Sequence, residues 1–306
     1  MTWFLVAMIG PFLYAITNHT DKILLDKYFK EGGVGTLLLF SSLLSVFALP
    51  VIYLIEPNIL NVSLFNALFL IFIGVLDLLI LFCYLKALEN DEASIAIVFY
   101  QLVPIFGIFL GFFILDEVLT QMQLIAMAII ILGTTIIAFE IDNENNLKLR
   151  KDTVYYMLLA SFFWALEATL FKMVALEENV LQTLFWNSAV LVILGILMLL
   201  FIREYRGHFL TALKLNSKAI IGVNISNEII YMFGNAAVSF AAMMAPIALI
   251  LLMESFQSFF VLAIGIFLTI FFPRITKENI SLRNVVQKLL AIIITGIGTY
   301  ILLYLS

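Results

Sequence analysis

The stretch from Ala219 to Phe240, AIIGVNISNEIIYMFGNAAVSF, decides the class of fold. It is long and apolar enough to cross a bilayer, since a spanning helix needs about 20 residues. Yet four polar side chains share one helical face at spacings of i, i+3, i+4 and i+7, namely Asn224, Asn227, Glu228 and Tyr231. A carboxylate inside a membrane helix is costly and is tolerated where it faces a partner, a water-filled cavity or a substrate. We interpret this face as the wall of a pathway, and the alternative is that Glu228 only pairs with a neighbouring helix.

The composition agrees with a membrane location. Of 306 residues, 64% are hydrophobic and 12% are charged, and the mean hydropathy is +1.13. A soluble domain has about 45–50% apolar and about 25% charged residues. The lone Cys83 gives no disulfide framework, and the two scattered histidines favour neither a metal site nor a cofactor. The sequence therefore predicts an integral membrane protein.

Hydrophobic windows predict ten spans, at 3–22, 34–55, 64–88, 93–114, 119–139, 153–174, 181–202, 219–240, 245–271 and 286–304. The most hydrophilic joining segment, Glu140–Asp152, falls almost at the midpoint. The predicted fold is thus all-α, with ten transmembrane helices in two five-helix repeats, residues 1–140 and 153–306, joined by a linker at 141–152. Residues 203–218 mix basic and apolar side chains and are expected at the membrane interface.

The two halves resemble each other weakly. An offset of 150 residues aligns Tyr14 with Trp164, Lys22 with Lys172, and Asp77 with Asn227. Repeats of five spans must be inverted relative to each other, because an odd number of crossings returns the chain on the opposite side. Inverted repeats are typical of transporters that use alternating access around a midplane site.

Several motifs of the first half resemble the EamA type of the drug/metabolite transporter superfamily. They are the run Ala93–Ala96, Pro104 further along, the turn Leu115–Glu117 and the stretch Gln123–Gly133. In the family that turn reads Leu-Gly-Glu, and Asp116 replaces its glycine here. The resemblance implies ten helices, two inverted repeats and a secondary carrier for small metabolites.

Deep polar residues predict the site. Spans 3, 6, 8 and 9 each carry one acid, and span 4 offers Gln101 beside Pro104. We therefore expect spans 1, 3, 4, 6, 8 and 9 to line a cavity, and the others to face lipid or brace it. Trp164 shares a face with Glu167, and Gln257 with Glu254. The predicted binding or coupling residues are Asp77, Gln101, Trp164, Glu167, Asn224, Asn227, Glu228, Tyr231, Glu254 and Gln257.

The four acids are poorly matched by bases, because Lys22, Lys86 and Lys172 lie nearer the ends of their spans. Carboxylates close together in a low-dielectric cavity favour protonation of at least one of them. This pattern favours proton coupling, a cationic or zwitterionic substrate, or both. A strong anion would need Arg or Lys at midplane. The expected partners are a small molecule, membrane lipid and protons, with no nucleic acid; the oligomeric state is left open.

The basic residues are sorted to one side. Thirteen of them fall in the segments that follow spans 1, 5, 7 and 9, whereas acids occupy the opposite loops. The positive-inside rule then predicts both termini outside the cytoplasm and the linker inside. The family resemblance suggests the reverse orientation. The expected location is the plasma membrane of a prokaryote.

Two alternatives to a metabolite transporter remain at this point. A lipid-headgroup flippase would use the same architecture with a lateral opening. An intramembrane lipid-modifying enzyme would need a nucleophile–base pair or a metal cluster. His19 and His208 are isolated, and no HExxH pattern occurs, which disfavours the enzyme. Substrate, direction of transport and coupling ion are not specified by the sequence.

Overall fold

The computed structural model describes residues 2–27, 33–90, 99–138, 151–215, 217–271 and 282–305. Within these ranges the chain forms helices joined by short turns, and no strand occurs. Most of the linker 141–152 and the run Ala93–Ala96 lie outside the described residues, as do the basic residues Lys30, Lys148, Arg150, Arg274 and Lys277.

Among the residues that the structure describes, the first half forms helices at each of its five apolar windows. A 3-10 turn, Ser45–Phe47, separates α2 from α3, and another, Tyr100–Leu102, precedes α5. The helices are α1 (Thr2–Lys27), α2 (Gly33–Leu44), α3 (Ala48–Ile55), α4 (Leu64–Asn90), α5 (Val103–Leu115) and α6 (Gln121–Ala138).

The second half repeats the pattern with one extra helix, α9, at the segment predicted to lie at the interface. The window 245–271 forms two helices rather than one, because the chain turns at Ser255 and Phe256. The helices are α7 (Lys151–Glu177), α8 (Val180–Phe201), α9 (Arg203–Leu215), α10 (Ser217–Ala242), α11 (Ile247–Glu254), α12 (Gln257–Phe271) and α13 (Leu282–Tyr304).

Five segments are long and apolar enough to cross a membrane: Gly33–Ile55, Leu64–Leu88, Lys151–Glu177, Val180–Phe201 and Ile247–Phe271. Three shorter apolar helices are Tyr100–Leu115, Gln121–Ile136 and Leu289–Tyr304. These segments confirm the class, an all-helical integral membrane protein. The crossing of all ten predicted spans remains a prediction.

Helices from the two halves interleave. Helix α1 packs along α10, and α4 packs along α7, so the first and third spans of each half contact the third and first of the other. Helices α2 and α8, α5 and α11, and α6 and α13 also pack across the halves. The halves therefore form one bundle rather than two domains.

Small residues permit the close packing of α5 on α11. A Cβ atom added at Gly107 would lie 2.7 Å from the Leu251 side chain, and one at Gly111 would lie 2.9 Å from Ile247. Both glycines lie on α5 and face α11. Their spacing of four residues places them on one face, which allows the two helix backbones to approach.

Candidate functional site

A cavity of about 140 Å³ lies inside the bundle. Its walls come from α1, α2, α4, α7, α8, α10 and α11, with Tyr100 and Gln257 completing them. Helices α2 and α8 were expected to face lipid or brace the bundle. The structure corrects this, because α2 contributes Ser41 and Ser42 to the lining, the 3-10 turn that follows it contributes Ser45, and α8 contributes Leu191.

Four carboxylates line the cavity, and they come from four different helices: Asp21, Asp77, Glu167 and Glu228. Seven of the ten predicted site residues belong to the same lining, namely Asp77, Trp164, Glu167, Asn227, Glu228, Tyr231 and Gln257. The structure thus brings together residues that are far apart in sequence.

Asp21 and Glu228 form the first carboxylate pair. The Asn227 amide donates a hydrogen bond to Asp21 over 2.8 Å, and the Ser45 hydroxyl donates to Glu228 over 3.4 Å. Asn227 and Glu228 are neighbours on α10, so the bond to Asn227 places Asp21 beside them. The pair is therefore held by polar side chains of α10 and of the 3-10 turn Ser45–Phe47.

The sequence-based prediction missed Asp21, although a signal for it exists. Tyr14, Thr17, Asn18 and Asp21 follow the same i, i+3, i+4, i+7 spacing as the polar face of α10, and all four line the cavity. Asp21 lies next to Lys22 at the end of its predicted span, where a charged pair is typical of the membrane interface.

Asp77 and Glu167 form the second carboxylate pair, which joins α4 to α7. The two carboxylates interact electrostatically. The amide of Asn187 on α8 donates a hydrogen bond to Asp77 over 2.6 Å. Asn187 was also missed, because its span carries no ionisable residue and was therefore expected to face lipid or brace the bundle.

Aromatic rings line the same cavity as these pairs. The ring centroids of Tyr14 and Tyr231 are 5.4 Å apart, and Tyr14 contacts Trp164 edge-on at 6.2 Å. Trp164 in turn packs against Tyr100 at 5.0 Å. These four rings, Tyr14, Tyr100, Trp164 and Tyr231, therefore contact one another in series, and we call them the aromatic wall.

Three predicted site residues lie outside the lining. Gln101 accepts a hydrogen bond from Thr134 over 2.6 Å and donates to Ser258 over 3.4 Å, so it joins helices. Asn224 is buried one turn before Glu228 on α10.

Glu254 was expected to share the cavity with Glu228. Instead it is 1% exposed, behind the wall and within electrostatic range of Tyr14 and Tyr231. Because the chain turns at Ser255 and Phe256, Gln257 lines the cavity instead of Glu254.

Lys172 does not line the cavity and binds other groups of the protein. Its ammonium group forms an ion pair with Glu117 at 2.5 Å and donates to the carbonyl of Ala245 over 2.7 Å. The other Glu117 oxygen accepts a hydrogen bond from the backbone N–H of Ile247 over 2.6 Å, at the start of α11. We call these groups the Glu117 network. No Lys or Arg lines the cavity in the described part of the chain.

The carboxylates are spread out rather than gathered at one point. Among the residues that the structure describes, no group of three or more His, Cys, Asp or Glu side chains could hold a metal ion. The lining is thus suited to a molecule that contacts several acids in turn. Fold and cavity together define an integral membrane protein with an acidic internal cavity.

Residues 1–139 match the EamA-like transporter family, which confirms the resemblance found in the sequence. The match is consistent with a member of the drug/metabolite transporter superfamily, whose EamA members are transporters. No curated protein matches the chain. A crystal structure of another protein aligns with 100% of this chain and 97% of its own, with a TM-score of 0.63 and 11% identity. That likeness shows that the fold extends over both halves.

Proposed function

We propose that the protein is a secondary transporter that moves a small polar metabolite, cationic or zwitterionic, by alternating access. One observation carries this proposal: carboxylates from both halves of the chain line a single cavity inside a membrane bundle. Buried acids in membrane helices are typical of substrate and proton pathways. The match of residues 1–139 to a transporter family supports the same function.

In this proposal residues 1–140 and 153–306 are two inverted five-helix repeats. The exchange of helix contacts supports it, because α1 packs on α10 as α4 packs on α7. The aligned positions Tyr14 and Trp164 also contact each other in the aromatic wall. Rocking of one repeat against the other would expose the cavity to each side of the membrane in turn.

Transport is coupled to proton movement in this scheme. An ionised carboxylate in a low-dielectric cavity must be hydrated or paired, and no Lys or Arg of the described residues pairs with the four acids there. Keeping all four ionised without a cation is therefore costly. Protons and a cationic substrate would neutralise the same groups, so the binding of one promotes the release of the other.

Replacement of Glu228 by Gln tests the coupling. The change fixes a neutral side chain of the same size and keeps a hydrogen-bonding partner for Ser45. In proteoliposomes, Glu228→Gln should abolish uptake driven by a pH gradient, while exchange between equal substrate pools survives. The comparison is the initial rate of each reaction for the variant and the parent protein.

Glu204→Gln is the matched control, because Glu204 is an exposed acid of α9 and far from the lining. It should leave both rates unchanged. Full gradient-driven uptake in Glu228→Gln, and equally in Glu254→Gln, Glu167→Gln and Asp77→Asn, would contradict proton coupling. The protein would then be a uniporter or an exchanger.

A further inference from the structure

Four buried polar atoms around the cavity have no hydrogen-bond partner within the described part of the chain. They are Asn18 Nδ2, Ser42 Oγ, Asn227 Oδ1 and Gln257 Oε1. Their residues are 1–8% exposed, and all four line the cavity. Buried polar groups are normally satisfied, because an unmade hydrogen bond in a low-dielectric site costs free energy. These atoms therefore mark a surface that is completed by a ligand.

We propose that this ligand is an elongated dication, with an ammonium group at each end of a short aliphatic chain. The inference rests on the proposed transport function and narrows its substrate class. The proposed ligand carries two positive charges on one molecule, and it is not a zwitterion.

Two carboxylate pairs provide the two ammonium sites. Asp21 on α1 accepts a hydrogen bond from Asn227, the residue next to Glu228 on α10, and Asp77 and Glu167 lie on the packed helices α4 and α7. No three acids of the described residues are close enough to hold a single metal ion. One compact cation thus cannot contact both pairs at short range, whereas a chain with a charge at each end can.

The aromatic wall fits the middle of such a molecule. Tyr231 lines the same cavity as Asp77, Glu167 and Glu228, and its ring packs against Tyr14. Aromatic faces contact methylene groups and attract neighbouring ammonium groups. A chain that passes over Tyr231 would therefore have an apolar surface for its middle and acids at both ends.

The hydrogen-bonding character of the lining favours a donor-rich ligand. The four carboxylates accept hydrogen bonds, as do the free oxygens of Asn227 and Gln257, whereas Asn18 Nδ2 is the one unpartnered lining atom of the described residues that only donates. An ammonium group donates three. The carboxylate of an amino acid would need a cation, yet Lys172 is held in the Glu117 network and no Lys or Arg of the described residues lines the cavity. A zwitterion would leave that carboxylate facing four acids.

Isothermal titration of the purified full-length protein tests this inference with three probes. Putrescine carries two ammonium groups, n-butylamine lacks one of them, and ornithine adds a carboxylate to putrescine. Putrescine should bind at least about tenfold more tightly than either comparison compound, as expected for one charge-assisted hydrogen-bonded contact. Equal binding of n-butylamine, or tighter binding of ornithine, would overturn the dication.

Charge-neutralising variants test where the two ammonium groups of the ligand bind. Asp21→Asn and Asp77→Asn should each reduce the preference for putrescine over n-butylamine to about threefold or less, since each removes part of one ammonium site. Glu204→Gln should keep the full preference. Glu228→Gln and Glu167→Gln repeat the test at each site if thermal unfolding shows that an aspartate variant does not fold. An unchanged preference in the folded variants at either site would refute the two-site arrangement.

Flux measurements separate this inference from the proposed function. Binding of putrescine with the expected preference, without transport in proteoliposomes, upholds the dication site and contradicts the transporter. Transport of ornithine with no preference for putrescine upholds the transporter and contradicts the dication site.

Discussion

Asp116 adopts a conformation that glycine adopts at less cost. Its φ angle of 54° lies in the left-handed region. Among the described residues, Asp116 is the only non-glycine residue with a positive φ. It ends α5 and turns the chain so that the next residue, Glu117, bonds back to the carbonyl of Gly111 over 3.1 Å. The left-handed turn thus positions Glu117 for its network.

Asp116→Gly should stabilise the protein. Glycine relieves the left-handed strain, and its greater freedom in the unfolded chain offsets part of the gain, which leaves about 1 kcal/mol. Thermal unfolding in detergent measures the difference. Asp116→Ala removes the carboxylate but keeps the strain, so it should not stabilise. A midpoint for the glycine variant at or below that of the parent would contradict the strain argument.

Glu178 should make folding stability depend on acid pH. It lies between α7 and α8, outside the spanning helices. Hydrogen bonds from the Asn66 amide over 2.8 Å and from the Ser63 backbone N–H over 3.1 Å lower its pKa below the ordinary value. A lowered folded-state pKa contributes stability above the unfolded-state pKa, and that stability is lost as pH falls through the folded value.

Unfolding midpoints recorded from pH 6 down to about pH 3 should therefore fall more for the parent protein than for Glu178→Gln. The difference should stay below about 1 kcal/mol, because the carboxylate lies near the surface and solvent screens it. Parallel curves for the two proteins would show that the hydrogen bonds to Glu178 add nothing to stability.

At the scale of elements, the Glu117 network joins the turn after α5 to α7 and to the first residue of α11. Lys172→Met keeps the length of the side chain but leaves Glu117, whose side chain is 17% exposed, without its cation. We expect a loss of about 3 kcal/mol in the free energy of unfolding, as for other buried pairs that lose one partner. Thermal or denaturant unfolding measures it.

Lys151→Met is the matched control, because Lys151 is exposed on the same helix. It should change stability by less than about 0.5 kcal/mol. The double variant Lys172→Met, Glu117→Gln should recover part of the loss, since no buried charge remains unpaired. Equal stability of the two lysine variants would mean that the pair contributes little.

Helix positions could be predicted from the sequence, because apolar runs of spanning length have few other uses. The breaks inside those runs could not. The turn at Ser255 and Phe256 and the 3-10 turn at Ser45–Phe47 involve ordinary residues with no proline, so tertiary packing decides where each helix bends. That is why Gln257, and not Glu254, reaches the cavity.

At the scale of the whole molecule, hydropathy and polar spacing predicted which helices meet, but not which side chains pair. Glu117 and Lys172 are 55 positions apart, and each alone resembles an ordinary residue at the end of a helix. Asn187 and Asp77 are 110 positions apart. Pairs of this kind depend on how two halves pack, and a single sequence carries no direct record of it.

Orientation in the membrane is also a whole-molecule property. The basic segments predict that the linker, including Asn145, is cytoplasmic. A cysteine at Asn145 in a Cys83→Ser background should react with a membrane-impermeant maleimide only after the cells are permeabilised. A cysteine at Glu56, in an acidic loop of the opposite side, should react in intact cells. Strong labelling of position 145 from outside would contradict the charge argument.

The Glu117 network has a consequence for temperature. It joins the turn after α5 to α7 and α11. Any motion that separates these helices must also separate the Glu117 carboxylate from the Lys172 ammonium and the Ile247 amide. The separated charges then depend on water, whose hydration of ions becomes less favourable as temperature rises. Warming therefore favours the state in which the Glu117 network is formed over the state in which it is broken. The equilibrium between these two states shifts with the temperature at which the cell lives.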